Sequence, residues 1–374
     1  MKIRASVLEE MGRPVPYAES RPLTVDEVDL APPGAGEVLV RVAAAGLCHS
    51  DLSVINGERP RPTPMVLGHE AAGVVEAFGE DVDGLEVGDH VVLVFVPSCG
   101  HCLPCAEGRP ALCEPGAASN TAGTLLSGAR RLSRSGKQLH HHLGVSGFAE
   151  YATVSARSLV KIDRDLPLET AALFGCAVLT GVGAVVNTTG VRAGMTVAVV
   201  GLGGVGLSSV LGACAAGAAR IVAIDLSEAK LSAAKKLGAT DTFNAGNVDC
   251  IDAVREETRG GVDCAFEMAG SAKAMELAYR ITRRGGITTT AGLPPPTASI
   301  AIPHVNLVAE ERTVKGSYIG TAVPLRDLPR YIAMHKRGIL PVEKLMTHRM
   351  ALEEINTGFD RLNEGKAIRQ IVTF

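Results

Sequence analysis

Four of the nine cysteines fall inside one short stretch, CGHCLPCAEGRPALC, as Cys99, Cys102, Cys105 and Cys113. Thiols packed this densely make disulfides, a redox C-x-x-C pair or a metal cage. An odd total of nine argues against a fully paired framework. The stretch MKIRASVLEEMGRPVPY has no apolar core of signal-peptide length, and no run approaches about 18 apolar residues. That predicts a cytosolic protein with reduced thiols. Cys99, Cys102 and Cys105 form an overlapping pair that Cys113 completes to four. Four thiolates close a tetrahedral zinc site and leave no position for substrate, so this cluster is expected to be structural.

A second chemistry sits in VAVVGLGGVG, with G-x-G-x-x-G at Gly201, Gly203 and Gly206. The first Gly permits a tight turn, the second a close approach of backbone to a pyrophosphate, the third close packing of helix on strand. The loop follows an apolar strand, Val197–Val200, and opens a helix whose N-terminus favours phosphate. The next strand, IVAID, ends in Asp225, 19 residues after Gly206. An acid there accepts hydrogen bonds from ribose hydroxyls and repels a 2′-phosphate, which favours NAD over NADP. Asp225 could instead cap a helix, a role open also to Ser227.

A third, sparser set is Cys48 in GLCHSD, His69 in GHEAAGVVE and Cys176 in LFGCAVLTGVGA. Two Cys and one His with an open fourth position are the ligands of a catalytic zinc. Spacing alone cannot assemble residues so far apart, and Cys176 taken singly reads as a buried thiol. Cys214, Cys250 and Cys264 read as inert thiols, and His90 in VGDHVV as a solvated strand residue. The run His140–His142 could bind metal. With no suitably spaced Cys or carboxylate nearby, it reads as a solvated loop edge.

These residues need elements to hold them. Residues 1–178 carry short β-branched runs, such as EVLVRVAAAG, GHEAAGVVEAFG and GDHVVLVF, separated by Gly and Asp turns. Within them, residues 97–115 would form the cysteine lobe, and the Gly-, Ser- and Arg-rich segment 114–144 reads as a long surface excursion. From Met195, apolar strands alternate with Ala- and Lys-rich helices, with later strands expected in CAFEMAG, GGITTTAG and RTVKGSY. Such alternation builds a doubly wound parallel sheet over 179–318. The tail 319–374, ending in AIRQIVTF, is expected to return to the first domain. The fold class is therefore α/β, a β-rich catalytic domain plus a Rossmann domain. With 46% apolar residues but only 3% aromatics and no Trp, the cores must be built from Val, Leu, Ile and Ala. A net charge of −3 with mixed signs and no basic block argues against nucleic-acid or membrane partners.

Taken together, GLCHSD, GHEAAGVVE, CGHCLPCAEGRPALC, GCAVLTGVG, GLGGVG and the strand-ending Asp resemble the zinc-dependent alcohol dehydrogenases of the medium-chain dehydrogenase/reductase superfamily. The resemblance covers essentially the whole chain, from a GroES-like β domain to AIRQIVTF. It implies two zinc ions per chain: a catalytic one on Cys48, His69 and Cys176, and a structural one on the four clustered cysteines. By the same match Glu70 is the acid behind the catalytic metal, and Asp51 the carboxylate that orients the ligating His. Ser50 is the hydroxyl that takes the alcohol proton. The relay histidine three positions further on is replaced by Ser53, which leaves the last proton acceptor open.

The resemblance also implies a cofactor set of His49, Thr180, Gly201, Gly203, Gly204, Val205, Gly206, Asp225, Lys230 and Arg369. Backbone of Gly292–Leu293 and Ser317–Tyr318 would border the nicotinamide. Phe95, Phe148, Leu293 and Tyr318 would line a pocket for apolar, aromatic or medium-chain alcohols. The implied reaction is reversible oxidation of a primary or secondary alcohol by hydride transfer to NAD. A thiol-dependent formaldehyde dehydrogenase, using a glutathione or mycothiol adduct, shares nearly all these motifs. A non-enzymatic member of the superfamily is disfavoured by the intact Cys48, His69 and Cys176. The length of 114–144 is reminiscent of homodimeric relatives, with a tetramer the other possibility.

Overall fold

A computed structural model describes residues Met1–Phe374. The chain divides into two compact units. The first comprises Met1–Cys176, Val323–Pro329 and Met346–Phe374; the second comprises Ala177–Ala322 and Arg330–Leu345.

The first unit is built from a six-stranded and a seven-stranded sheet. The strand Glu37–Gly46 is central to the larger one. It pairs antiparallel with Glu70–Phe78, Tyr151–Ser155 and Arg369–Thr373. Its register decides where the chemistry collects. Gly46 lies opposite both Glu70 and Ile371, so two residues further on Cys48 emerges beside His69 and Arg369. The turn Leu173–Gly175 packs on the strands Glu70–Phe78 and His90–Leu93, and delivers Cys176 to the same edge.

The smaller sheet runs, edge to edge, Lys137–Gln138, Leu132–Arg134, Leu23–Leu30, Lys2–Leu8, Met65–Val66 and His140–His141. Half of these strands come from the segment expected to be a surface excursion. That expectation is corrected: residues 114–144 contain the helix Glu114–Ala122 and three short strands. Leu132 and Leu139 belong to a buried cluster with Ile3, Val7, Val28 and Val66. Each such side chain contributes about 1.5–3 kcal/mol on burial, which a polar composition concealed. The solvated edge expected at His140–His142 is corrected with it, because His141 and His142 are each 1% exposed.

Glu37 anchors this segment. It is 1% exposed, and accepts from Gly34 N at 2.9 Å, Ser127 Oγ at 2.6 Å and Arg131 Nε at 2.7 Å.

The second unit holds a six-stranded, wholly parallel sheet. Its order is Asp241–Asn244, Arg220–Asp225, Thr196–Val200, Val262–Glu267, Thr282–Thr290 and Thr313–Gly316. Numbered along the chain this is 3-2-1-4-5-6, the doubly wound dinucleotide-binding order. Val197–Val200 and Ile221–Ile224 are buried without alternation, as strands covered on both faces require. The strand Asp241–Asn244 has no apolar run to announce it, since it lies half-buried at the sheet edge. No single helix is long and apolar enough to cross a membrane.

Burial pushes the Glu37 carboxyl up, but hydrogen bonds from Ser127, Gly34 and Arg131 hold it below its ordinary 4.5. A carboxylate held low when folded stabilises the fold above its unfolded pKa, and that stability is lost as pH falls through the folded value. The melting temperature should therefore drop below about pH 4.5. In Glu37→Gln it should start lower at neutral pH and depend less on pH in the acid range. Thermal melts across that range test this; parallel profiles would exclude Glu37 as the acid-sensitive anchor.

Candidate metal centre and cofactor loop

Cys48 precedes the helix His49–Ile55, and Asp51 lies in that helix's first turn. Asp51 Oδ2 accepts from Cys48 N at 3.3 Å, and Oδ1 from Gly68 N at 3.2 Å. His69 Nδ1 meets the same Oδ1 at 3.0 Å. An ionised carboxylate only accepts, so His69 carries a proton on Nδ1, and Nε2 is the nitrogen left for another partner. That Nε2 is buried and has no hydrogen-bond partner. It lies instead with the Cys48 and Cys176 sulfurs, the three ligand atoms all within 4.8 Å of one another. Cys48 is 6% exposed, Cys176 5% and His69 0%.

The electrostatics of this knot suit a cation. A hydrogen bond from Cys176 holds the Cys48 thiol well below its ordinary range, and the same bond pushes Cys176 well up. The two sulfurs are in hydrogen-bonding contact, and a metal ion would bind both as thiolates. Burial pushes the Asp51 carboxyl up, but His69 and His142 outweigh it and hold it low. Burial lowers His69, yet Asp51 and Cys48 raise it well above its ordinary value. An unpaired imidazole nitrogen beside two sulfurs, backed by a carboxylate, fits zinc by its donor chemistry.

The surrounding residues are placed as follows. Glu70 is 0% exposed, with Arg369 Nη1 at 3.7 Å from Oε2. Arg369 also donates to Leu47 O at 3.1 Å, is 4% exposed, and leaves Nε without a partner. The resemblance gives Arg369 to the cofactor; inside its own unit it faces Glu70 and the Cys48 sulfur. Phe95 meets His69 edge to face at 5.1 Å. Phe148, expected in the pocket wall, is corrected to a core residue: it is 0% exposed and packs on Phe359. Ser50 and Ser53 are half-buried, three apart on one helix, and His49 is exposed. His90, expected to be solvated, is half-buried at a strand start.

In the dense cluster, the sulfurs of Cys99, Cys102, Cys105 and Cys113 lie within 4.8 Å of one another. Cys99 N donates to Cys113 Sγ at 3.2 Å, Cys102 N to Cys99 Sγ at 3.3 Å and Gly116 N to Cys113 Sγ at 3.4 Å. Backbone donors aimed at sulfur are arranged for thiolates. Donation from the His101 and Cys102 backbone lowers Cys99 to about 6, while burial raises Cys105 to about 12. No cysteine in the chain is in a disulfide.

In the second unit Gly201 has φ +90°, and a side chain there would strike Ala269; one at Gly206 would strike the Gly201 carbonyl. Gly204 and Val205 open the helix Gly204–Ala215 after Gly203. Asp225 Oδ2 accepts from Leu202 N at 2.7 Å, and Oδ1 from Ser227 N at 2.9 Å. Asp225 therefore fixes the glycine loop and starts the next helix while keeping lone pairs for a ligand. Lys230 is half-buried on that helix. Thr180 is buried, and Ser317 Oγ bonds Thr188 Oγ1 at 2.8 Å. Gly292 N donates to Glu267 O at 3.2 Å, while Leu293 and Tyr318 are exposed.

Comparison with known proteins agrees with this geometry. Residues 34–164 match the family described as alcohol dehydrogenase GroES-like domain, and residues 204–337 that described as zinc-binding dehydrogenase. An alcohol dehydrogenase zinc-binding domain protein from Burkholderia ambifaria is 36% identical, with a TM-score of 0.94 over 100% of this chain and 99% of that one. The chain belongs to the zinc-dependent alcohol dehydrogenases of the medium-chain dehydrogenase/reductase superfamily. As such it is an oxidoreductase with a GroES-like domain and a dinucleotide-binding domain. Benzyl alcohol dehydrogenase from Acinetobacter calcoaceticus is 32% identical, with a TM-score of 0.93 over 100% of this chain and 99% of that one. A zinc-binding dehydrogenase from Sinorhizobium meliloti 1021, bound to NADP, is 27% identical, with a TM-score of 0.82 over 100% of both chains.

Sequence reasoning missed His142. Leu139 and Leu143 bracket the His run, and a solvated rim has no use for both; that was the signal available.

The closed set and the open set should separate by mutation. Cys102→Ser should remove one zinc and lower the melting temperature, with hydride transfer lost only as the protein unfolds. Metal analysis alongside thermal melts tests this; a variant of unchanged stability and zinc content would remove the structural assignment.

Proposed function

We propose that this dehydrogenase is an NAD-linked alcohol dehydrogenase carrying two zinc ions per chain. It would reversibly oxidise primary or secondary alcohols with aromatic or medium-length apolar groups, passing hydride from the carbinol carbon to nicotinamide C4. The reading rests on the buried, unpartnered Nε2 of His69 beside the sulfurs of Cys48 and Cys176. A zinc ion bound there supplies Lewis acidity, lowering the pKa of an alcohol hydroxyl or polarising a carbonyl oxygen.

The protein's own groups would do the rest. Asp51 holds His69 in the tautomer that presents Nε2. Ser50 takes the substrate proton, and Ser53, one turn along the same face, hands it to water in place of an imidazole. Glu70 keeps a carboxylate behind the centre, its charge offset by Arg369. Phe95 presents an apolar wall beside His69 and keeps water out. Asp225 accepts from the ribose hydroxyls and disfavours a 2′-phosphate. The likeness to a benzyl alcohol dehydrogenase supports an aromatic substrate. A cytoplasmic homodimer is part of the proposal. Thr313–Gly316 is an edge strand with Val314 exposed, and Val305 and Val308 stand exposed on the helix before it.

Cys48→Ala should abolish turnover while leaving folding and NAD binding intact, as read by melts and cofactor titration. A panel from ethanol to long-chain and benzylic alcohols, with and without glutathione or mycothiol, tests the substrate class. Benzylic or medium-chain alcohols should turn over with no thiol; formaldehyde oxidation that requires one, with benzyl alcohol ignored, would sink the reading.

Asp225→Ala should narrow the preference for NAD over NADP. The ratio of kcat/KM for the two cofactors is diagnostic, because loosening of the glycine loop affects both alike. An unchanged ratio would remove Asp225 as the ribose acid.

A further inference from the structure

Asp51 faces two imidazoles. His142 Nδ1 lies 3.1 Å from Oδ1, the oxygen already in contact with His69 Nδ1 and Gly68 N. The His142 side chain is 2% exposed, and its ring meets His69 edge to face at 5.6 Å. A bare nitrogen lone pair this close to a buried carboxylate would be repelled, so His142 carries a proton on Nδ1. That N–H sits off the ideal line, without a well-aligned bond, yet Asp51 is the carboxylate it faces.

The backbone that carries the ring is fixed as well. His142 N donates to Ser146 Oγ at 3.0 Å, and Ser146 Oγ lies 3.4 Å from His141 Nδ1. His141 Nε2 accepts from Arg131 N at 3.0 Å, and Arg131 Nε donates to Glu37 Oε2 at 2.7 Å. A chain of polar contacts thus runs from a buried carboxylate, Glu37, through two histidines to a second one, Asp51. Nothing in this chain is needed to close the sheet edge at His140–His141, which pairs through backbone.

We propose that His142 is a positioning residue for the metal centre: it braces Asp51 Oδ1 against His69, and so keeps His69 Nε2 aimed at the metal. The inference rests on the assignment of zinc to Cys48, His69 and Cys176. Asp51 keeps two other donors on Oδ1, so losing His142 loosens the site without dismantling it. Removing a direct partner of a metal ligand typically costs 10–100-fold in metal affinity. One step further out, about 3–10-fold faster metal loss is expected.

The test uses the zinc-loaded protein and a chromogenic chelator, following release of both zinc ions. His142→Phe fills the space without an N–H, and His142→Asn restores a donor near the place of Nδ1. The zinc of Cys99, Cys102, Cys105 and Cys113 serves as internal standard. His142→Phe should release the other zinc several-fold faster, His142→Asn should approach wild type, and the four-cysteine zinc should leave at one rate in all three. His142→Ala, which cannot clash, replaces the Phe variant if that fails to fold.

Equal release from wild type and His142→Phe would overturn the proposal. So would acceleration of both zinc ions together with no rescue by Asn, which marks a general packing defect. A third ion in wild type, bound by Asp51, His69 and His142 themselves, would overturn it as well. Wild type holding only the four-cysteine zinc would instead overturn the metal assignment beneath it, so the two failures are distinguishable.

Discussion

A carboxylate sealed from water is costly unless donors surround it, and Asp51 is sealed completely. Three hydrogen-bonding groups answer it, Cys48 N, Gly68 N and His69 Nδ1, and His142 Nδ1 faces it at 3.1 Å; together they come from a helix start, a strand start and the end of a connecting segment. Satisfying that one charge fixes the first turn of a helix, the start of a strand and the end of a long connecting segment. It also fixes which nitrogen of His69 is free. The arrangement of the three candidate ligands is thus set in part by the need to satisfy one buried carboxylate. Glu37 repeats the device further back, where its neutralisation ties residues 127–131 to the central strand.

The two cysteine sets show how the same ligand atoms serve opposite ends. In residues 99–113 the donors come from one short loop, with backbone N–H groups turned toward the sulfurs. Such a set is local, complete and closed. The set of Cys48, His69 and Cys176 is drawn from a helix start, a strand start and a turn, and the sheet register brings it together. It offers three donors and leaves a place for a fourth. Density in the sequence and openness in space run in opposite directions here.

Much of this was legible. The glycine loop and its strand-ending acid carry their own mechanism, and the strand-helix alternation fixed the parallel sheet apart from the polar edge strand Asp241–Asn244. The four-cysteine loop could be read directly. The open set could be suspected from its residue types but not assembled, since no local pattern encodes the pairing of Gly46 with Glu70. The segment 114–144 misled because its apolar residues are sparse; Leu132 and Leu139 are single buried anchors among polar neighbours, with no period to find. His142 was hidden for the same reason. In the sequence Asp225 reads as a ligand acid or a cap, and its geometry serves the loop and the helix start together.

The strand Arg369–Thr373 lies against Glu37–Gly46, and Arg369 bonds a carbonyl 322 residues earlier in the chain. The four clustered cysteines, by contrast, all lie within residues 99–113. Without the last strand, Ala44–Gly46 would lose their antiparallel partner on one side. The far end of the chain thus helps frame Leu47 and Glu70, whereas the four-cysteine loop is framed by its own neighbours.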